Sequence, residues 1–292
     1  MIRRWLPALG TSFFLLTTAV HAGDFIRVQE DASHARLQTA ITRYERNGTI
    51  VDLIGAIHIA DKDYYDALNL RFTGYNVLLY EMIGGENIAA RLTTPAKAAP
   101  PANEKARKLD GLKQLYDGAC EMLQLSSQSA VIDYTAKNFL HADLTLEEFE
   151  ALQAQRKESI LSFFLLASLK HQETRQPNSL RLLRAMLTKN PELMKQELLI
   201  TMDSSEDQIA AFAGENVIIG DRNARCMEVL AGQIAANQRK IGIFYGAAHF
   251  PDMEKRLLAL GFHRVAQEWL TAWDVRKEVR RPALKGPVIP AS

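Results

Sequence analysis

Two histidines stand in matching surroundings near the two ends of the chain. The first closes Gly-Ala-Ile-His at residues 55–58, after an apolar run, and the second closes Gly-Ala-Ala-His at residues 246–249, after another. An apolar run that ends in glycine and a polar residue is typical of a strand that ends in a turn. In an α/β sheet, chemistry concentrates at such strand ends. The repeat predicts a duplicated half-unit whose two halves place His58 and His249 at one site.

A carboxylate follows a third apolar run. Glu81 comes directly after residues 75–80, which read as a buried strand. Two imidazoles and one carboxylate are a common ligand set for a catalytic divalent metal ion, with positions left open for water and substrate. Such an ion lowers the pKa of bound water and polarises a carbonyl group. We therefore predict a metal site formed by His58, Glu81 and His249. A structural role in the core is the alternative for each histidine taken alone.

Arg222 and Asn223 occupy a predicted strand-to-helix turn, the same topological place as the histidines. An arginine there can stabilise a developing oxyanion or bind a substrate carboxylate. The alternative is a structural salt bridge to Asp221 or Glu81. Asn223 is its natural companion, either as a helix cap or as a hydrogen-bond donor, and we include both residues among the catalytic candidates with Glu81. His141 and Asp143 add a possible third imidazole and a supporting carboxylate, or only the packing of a helix start.

The elements that must position these residues are predicted from hydrophobic periodicity. Strands over residues 25–29 and 35–44 lead through an Asn47-Gly48 hairpin into the strand before His58. A helix over 64–71 and a strand over 75–82 follow, which predicts a βαβ unit with His58 and Glu81 on neighbouring strands. The second half reads as a strand at 216–219, a helix over 224–236, the strand and helix around His249, and a strand over 264–275.

These elements predict an α/β fold with a mixed central sheet made of two βαβ-like halves, each with a Gly-x-x-His strand end. A helical insertion over about 104–212 splits the halves. It contains a capping box at Thr145, from which a helix runs toward Lys170, and two further helices over 179–187 and 192–202. Residues 83–103 are rich in glycine, proline and alanine and read either as a lid or as a surface insertion.

The first 22 residues are typical of a secretory signal peptide. A basic start is followed by an apolar run and by Val20-His21-Ala22, which places small residues at the positions that a signal peptidase reads. An uncleaved anchor is the alternative. We expect a periplasmic or secreted protein with no membrane span after cleavage. The domain prediction is a signal peptide at 1–22, one α/β domain at 23–275 and a disordered tail at 276–292.

Composition excludes some partners. The 292 residues carry a formal net charge of +1, and no basic run alternates with aromatic residues, so we expect no nucleic-acid partner. Cys120 and Cys226 lack the spacing of a structural zinc site. They read as buried thiols, although an oxidising compartment would allow a disulfide.

The order of these motifs resembles the TraB/TIKI/GumN superfamily. The residues that carry the resemblance are the two Gly-x-x-His motifs, Glu81, Arg222-Asn223 and Met227, and it spans about residues 48–270. It implies an α/β core in which the two motifs converge. For the Wnt-cleaving TIKI members it implies a protease that depends on manganese or cobalt. Carried over, His58 and His249 are metal or catalytic residues, Glu81 is a ligand or general base, and Arg222 stabilises the transition state.

The leading hypothesis is an exported metal-dependent hydrolase, most simply a metallopeptidase, that uses manganese, cobalt or zinc. Its partner is then a peptide or small-molecule substrate. A second hypothesis is a periplasmic protein that binds haem or another small ligand in the same cleft. A third is a non-catalytic scaffold that retains the motifs for packing.

Overall fold

A mixed β-sheet organises the part of the chain that the structure describes. The computed structural model describes residues 25–85, 104–158, 178–202 and 216–277, without the side chains of 104–110, 112, 113, 201 and 202. The predicted signal peptide, most of the predicted lid at 83–103 and most of the predicted tail lie outside these residues. The apolar stretch that follows Glu158 also lies outside them.

Nine strands alternate with helices along the described residues. The strands are β1 (Ile26–Glu30), β2 (His34–Arg46), β3 (Thr49–Ala56), β4 (Ile59–Ala60), β5 (Val77–Tyr80), β6 (Ser126–Ser127), β7 (Phe139–His141), β8 (Lys240–Gly246) and β9 (His263–Arg276). The helices are α1 (Lys62–Phe72), α2 (Glu104–Leu123), α3 (Gln128–Val131), α4 (Leu146–Arg156), α5 (Ser179–Thr188), α6 (Pro191–Met202), α7 (Arg222–Ala235) and α8 (Phe250–Ala259). A π-helical turn spans Val217–Asp221, and a 3-10 turn spans Ala247–His249.

The main sheet has the order β1-β2-β3-β8-β5-β7, and β9 pairs with β2. Strands β3, β8, β5 and β7 are parallel, whereas β1, β3 and β9 each run antiparallel to β2. The parallel strands are apolar almost throughout because helices cover both faces of the sheet. One core cluster lies on each side, centred on Leu78 and Ile54 on one face and on Leu79 and Ile243 on the other. The predicted α/β class with a mixed central sheet is confirmed.

The hairpin between β2 and β3 forms where the sequence predicts it. Asn47 and Gly48 have φ angles of 50° and 73°. Both angles lie in the left-handed region, which a tight two-residue hairpin requires and which asparagine and glycine adopt most readily. This turn fixes the register of β3, because Arg46 pairs with Thr49 and Ile41 with Ile54.

The prediction that β3 and β5 are neighbours is wrong, because β8 lies between them. Tyr245 of β8 pairs with Gly55, and Phe244 pairs with Tyr80. Strand β8 is buried from Ile241 to Tyr245, so it needs a partner strand on each side. Strands that follow each other in the chain are usually neighbours in the sheet, which favours a pairing of β3 with β5. Strand β8 comes much later in the chain, so this preference gives no sign that it lies between them.

Three further expectations fail locally. Residues 216–219 form the start of the π-helical turn rather than a strand, since the Asn216 side chain accepts a hydrogen bond from the Ile219 N–H and begins a helix. The predicted helical insertion also contributes β7 to the main sheet. The capping box of Thr145 and Glu148 is present, but α4 ends at Arg156, where Lys157 adopts a left-handed conformation.

Candidate active site at the carboxyl edge of the sheet

The parallel strands bring the candidate residues together. Strands β3, β8, β5 and β7 end at the same edge, since Ala56 pairs with Gly246 and Tyr80 pairs with both Phe244 and His141. His58, Glu81, Asp143 and His249 follow these strand ends within three residues. Arg222 begins α7 and reaches the same edge. Topology therefore collects side chains from five places in the chain.

Glu81 lies at the centre of the site, and both of its oxygens accept hydrogen bonds. Arg222 Nη2 donates to Oε1 at 2.6 Å, and the Gly246 N–H donates to Oε2 at 2.6 Å. Burial alone would raise the pKa of Glu81, but the charge of Arg222, together with smaller contributions from His249, His58 and the Gly246 N–H, outweighs it and holds that pKa well below its usual range. Glu81 is therefore an ionised carboxylate, and 13% of its side chain remains exposed toward solvent.

Arg222 joins Glu81 to a second buried carboxylate, Asp143. Its Nε and Nη2 atoms donate to the two Asp143 oxygens at 3.0 and 2.6 Å, which is a bidentate pair. Asp143 is 4% exposed and also accepts from the Leu144 N–H. The Nη1 atom makes only two long contacts, each of 3.4 Å, to the Ile218 carbonyl oxygen and to His249 Nε2. This nitrogen is the part of the guanidinium that remains available to another acceptor.

Asn223 fixes the tautomer of His249. The Asn223 Nδ2 atom donates to the His249 carbonyl oxygen at 3.1 Å and to Asp252 Oδ2 at 2.8 Å, so the amide oxygen faces the His249 ring. That oxygen lies 2.7 Å from Nδ1 and can only accept, so Nδ1 carries the ring proton. Burial lowers the pKa of His249 to about 4, although Glu81 opposes this shift. At neutral pH the ring is therefore uncharged and its Nε2 atom carries a lone pair.

The lone pair of His249 faces the carboxylate of Glu81. Nε2 lies 3.7 Å from Glu81 Oε1, and both atoms are acceptors with no proton between them. The nearest donor to Nε2 is the distant Nη1 of Arg222. Oε1 already accepts from Arg222 at 2.6 Å, so Nε2 is the member of this pair that has no close donor.

His58 lies at the mouth of the site and is exposed. Two buried hydroxyl groups fix the backbone that leads to His58. The Tyr64 hydroxyl donates to the Gly55 carbonyl oxygen, and the Tyr65 hydroxyl donates to the Ile57 carbonyl oxygen. The His58 ring packs edge-on against Tyr116 of α2, with 6.3 Å between ring centroids. His58 is close enough to Glu81 to contribute to the low pKa of that carboxyl group.

The glycines of the two motifs allow neighbouring strands to approach closely. Neither glycine makes a sharp turn that requires a left-handed backbone. Neither Gly55 nor Gly246 has a positive φ. A Cβ on Gly246 would lie 3.3 Å from Glu81 Oε2, on the side where the backbone N–H meets that carboxylate. A Cβ on Gly55 would lie 3.0 Å from the Cβ of Thr39 and 3.1 Å from the Ala40 carbonyl oxygen. The bare backbone lets each strand end pack against its neighbour.

Gly55→Ala should lower the free energy of unfolding by about 1–3 kcal/mol, because the added methyl group must displace strand β2. Gly232→Ala is the matched control. Gly232 lies inside α7, and a Cβ there meets nothing within 4 Å. Alanine is the better helix former, so this variant should gain about 0.5–1 kcal/mol. Urea unfolding followed by circular dichroism measures both. Equal effects of the two substitutions would contradict this account of Gly55.

The predicted metal ligands fit a divalent cation in their chemistry, and two of the three lie side by side. His249 offers an unprotonated nitrogen, Glu81 an ionised carboxylate and His58 an exposed imidazole. Among the described residues, no three His, Cys, Asp or Glu side chains are arranged closely enough to hold a metal ion as they stand. Glu81 and His249 lie 3.7 Å apart, so His58 is the predicted ligand that does not join the other two as they stand.

The other sequence candidates separate clearly. Arg222 and Asn223 lie in the site, and Arg222 makes the predicted salt bridge to Glu81, whereas Asp221 pairs with Arg156. Asp143 lies in the site as a partner of Arg222. His141 does not, because its Nε2 atom donates to the Met82 carbonyl oxygen.

Sequence reasoning missed Tyr116 and Gln128. Tyr116 follows the helical periodicity of α2, and that periodicity carries no sign of a role at the site. Burial and the charge of Glu81 raise the pKa of its hydroxyl group. Gln128 reaches His58 only through the pairing of β4 with β6, and no local pattern indicates that pairing.

Comparison with known proteins adds no relationship. No family model, curated protein or solved structure matches the chain. Membership of the TraB/TIKI/GumN superfamily therefore stays a prediction that rests on the motifs. Within the described residues, every helix is too short or too polar to cross a bilayer. Cys120 and Cys226 are both present as thiols, and only Cys226 is fully buried.

Proposed function

We propose that this protein is an exported metal-dependent hydrolase of peptide bonds, and that the site at the carboxyl edge of the sheet is its active site. The observation that carries the proposal is the unprotonated Nε2 of His249 opposite the ionised carboxylate of Glu81, at 3.7 Å. Glu81 Oε1 already accepts from Arg222, whereas Nε2 has no close donor. A divalent cation would bind Nε2 and share the Glu81 carboxylate with Arg222, and His58 would supply a third ligand.

The bound cation would supply Lewis acidity, which polarises a scissile carbonyl group and makes water a better nucleophile. The remaining roles, which are to hold the cation, to stabilise the oxyanion and to orient the ligands, belong to residues of the chain. Glu81 is ionised and would serve as a ligand of the cation, whereas its lowered pKa makes it a weak general base. Arg222 is held by Asp143 and Glu81 with its Nη1 atom free to donate to the oxyanion that develops on the substrate. Asn223 acts through His249, whose ring orientation and tautomer it fixes.

Asn223→Ala should weaken metal binding by about 10–100-fold, because metal-ligating histidines depend on the partner of their second ring nitrogen. His249 would lose the acceptor for its Nδ1–H and with it the fixed Nε2 lone pair. Zinc affinity measured by isothermal titration calorimetry reports the effect. Asn178→Ala is the control, because Asn178 caps α5, where its side chain accepts from the Leu180 and Arg181 N–H groups. If the two variants bind zinc equally well, Asn223 is not a positioning residue.

The proposal is tested on the chain from Gly23 and on its His58→Ala/His249→Ala variant. Metal content is measured after incubation with manganese, cobalt or zinc, and cleavage is measured on a peptide library by mass spectrometry. We expect about one metal ion per wild-type chain and metal-stimulated cleavage, and neither in the variant.

Two further arms keep the result interpretable. Circular dichroism and thermal unfolding establish that the variant still folds, and His263→Ala is a matched control because His263 is exposed at the start of β9. Wild-type protein that binds no metal would overturn the metal-dependent proposal. Equal cleavage by wild type and double variant would remove the two histidines from the mechanism.

A further inference from the structure

His58 and Gln128 are paired across a short antiparallel ribbon. Strand β4 pairs with β6 such that Ala60 faces Ser126 and Ile59 faces Ser127. The next pair in this register is His58 with Gln128, and the Gln128 N–H donates to the His58 carbonyl oxygen at 2.8 Å. Gln128 is the first residue of α3, so this backbone bond joins it to His58 where the ribbon ends. Tyr134, whose hydroxyl bonds the Gln128 amide, and His58 are each close enough to Glu81 to interact with its charge, so the amide and the imidazole both lie near that carboxylate.

The amide oxygen of Gln128 is buried without a hydrogen-bond partner. Gln128 is 7% exposed, and its Oε1 is one of three buried side-chain atoms in the described residues that have no hydrogen-bond partner. The other end of the amide is fixed, because Nε2 donates to the Tyr134 hydroxyl at 2.7 Å. Tyr134 is itself packed against Tyr80, with 5.3 Å between ring centroids. The amide is thus held rigidly, with its acceptor on the side that Tyr134 does not occupy.

An unpaired buried acceptor costs free energy, on the order of 1–3 kcal/mol, so Gln128 Oε1 is expected to have a partner, which water, an ion or a side chain that moves can supply. The neighbour that carries a movable donor is His58. Its ring is exposed, and it must turn inward to approach Glu81 and His249. A histidine that binds a metal through one nitrogen usually donates the proton on its other nitrogen to a carbonyl or carboxylate oxygen.

We propose that Gln128 is the positioning residue of His58, whose ring N–H donates to Gln128 Oε1 when the ring turns into the site. The inference rests on the proposed function, since it explains how the third ligand joins the other two. In the observed position the His58 ring packs on Tyr116. When the ring turns into the site it loses this contact and donates a hydrogen bond to the buried amide oxygen of Gln128. One hydrogen bond then both satisfies Gln128 and fixes the tautomer of His58.

The test is a double-mutant cycle on zinc affinity with His58→Ala and Gln128→Met. Methionine keeps the length of the glutamine side chain and removes the acceptor. We expect Gln128→Met to weaken zinc binding by about 10–100-fold and to have no further effect once His58 is alanine. Gln128→Glu restores an acceptor and should bind zinc within a few-fold of wild type. Gln155→Met, an exposed position on α4, is the matched control and should bind zinc as wild type does.

Additive effects in the cycle would overturn the inference, because a structural role of Gln128 would weaken binding whether or not His58 is present. Unchanged zinc affinity in Gln128→Met would also overturn it.

A wild type that binds no zinc defeats the proposed function and, with it, the inference that rests on it. Zinc binding that depends on His58 but not on Gln128 leaves the proposed function standing and rejects the inference alone.

Discussion

Arg222→Met is expected to lower the free energy of unfolding by about 3–5 kcal/mol, because it leaves two buried carboxylates without their cation. The guanidinium bonds Asp143 through two atoms and Glu81 through one, and all three side chains are largely buried. Methionine fills most of the same volume and supplies no donor. Urea unfolding at neutral pH measures the loss.

The matched control is Arg225→Met, one turn further along α7. Arg225 pairs with Glu148 and Glu228 at the surface, with about a third of its side chain exposed. Exposed pairs of this kind contribute about 0–1 kcal/mol. If the Arg222 variant loses no more stability than the Arg225 variant, the buried network does not stabilise the fold as argued here.

Arg222→Lys is expected to lower kcat on a cleaved peptide by about 10²–10³-fold, with a smaller change in KM. Lysine retains the charge, so the fold should lose less stability than in Arg222→Met. A single ammonium group cannot hold Asp143 in a bidentate pair, bond Glu81 and still present a donor to the substrate, because it lacks the planar fork of arginine. Steady-state kinetics with metal supplied in excess measures the effect.

Arg225→Lys provides the comparison, since it makes the same chemical change on the same helix outside the site. Its kcat should remain within about twofold of wild type, as expected for a substitution away from the reacting groups. An Arg222→Lys enzyme with the same kcat as this control would show that Arg222 only holds the site together. The kinetic prediction depends on the proposed hydrolase activity, whereas the stability prediction for Arg222→Met does not.

The site is built so that charge balance and ligand geometry depend on each other. Arg222 keeps Glu81 ionised, and Glu81 receives a backbone N–H from Gly246 on its other oxygen. Asn223 adjoins Arg222 in sequence and fixes His249, which follows the same Gly246 by three residues. The Arg-Asn pair at the start of α7 therefore holds both Glu81 and His249, because Arg222 bonds the first and Asn223 the second. This explains in physical terms why these two residues occur together.

The sequence alone determined much of the architecture. The Asn47-Gly48 dipeptide specified the hairpin that leads into β3, because left-handed backbone is cheapest for those residue types. The apolar runs before His58, Glu81 and His249 specified strands, and the polar residue after each run marked the edge at which the strands end. The capping box at Thr145 specified the start of α4 through contacts within four residues. These features depend on local interactions, and local interactions are readable along the chain.

The tertiary structure decided what depends on contacts between distant residues. Strand β8 lies between β3 and β5, and β7 pairs at the edge of the sheet beside β5. Both placements follow from the burial of whole strands, and no local sequence pattern predicts them. The ion pair of Arg222 with Asp143 and the tautomer of His249 depend on side chains that meet only after the sheet has formed, and the backbone bond of Gln128 to His58 depends on the pairing of β4 with β6. The sequence thus predicted His58, Glu81, Arg222, Asn223 and His249 as candidates, and packing alone decided which other residues join them and how each is oriented and charged.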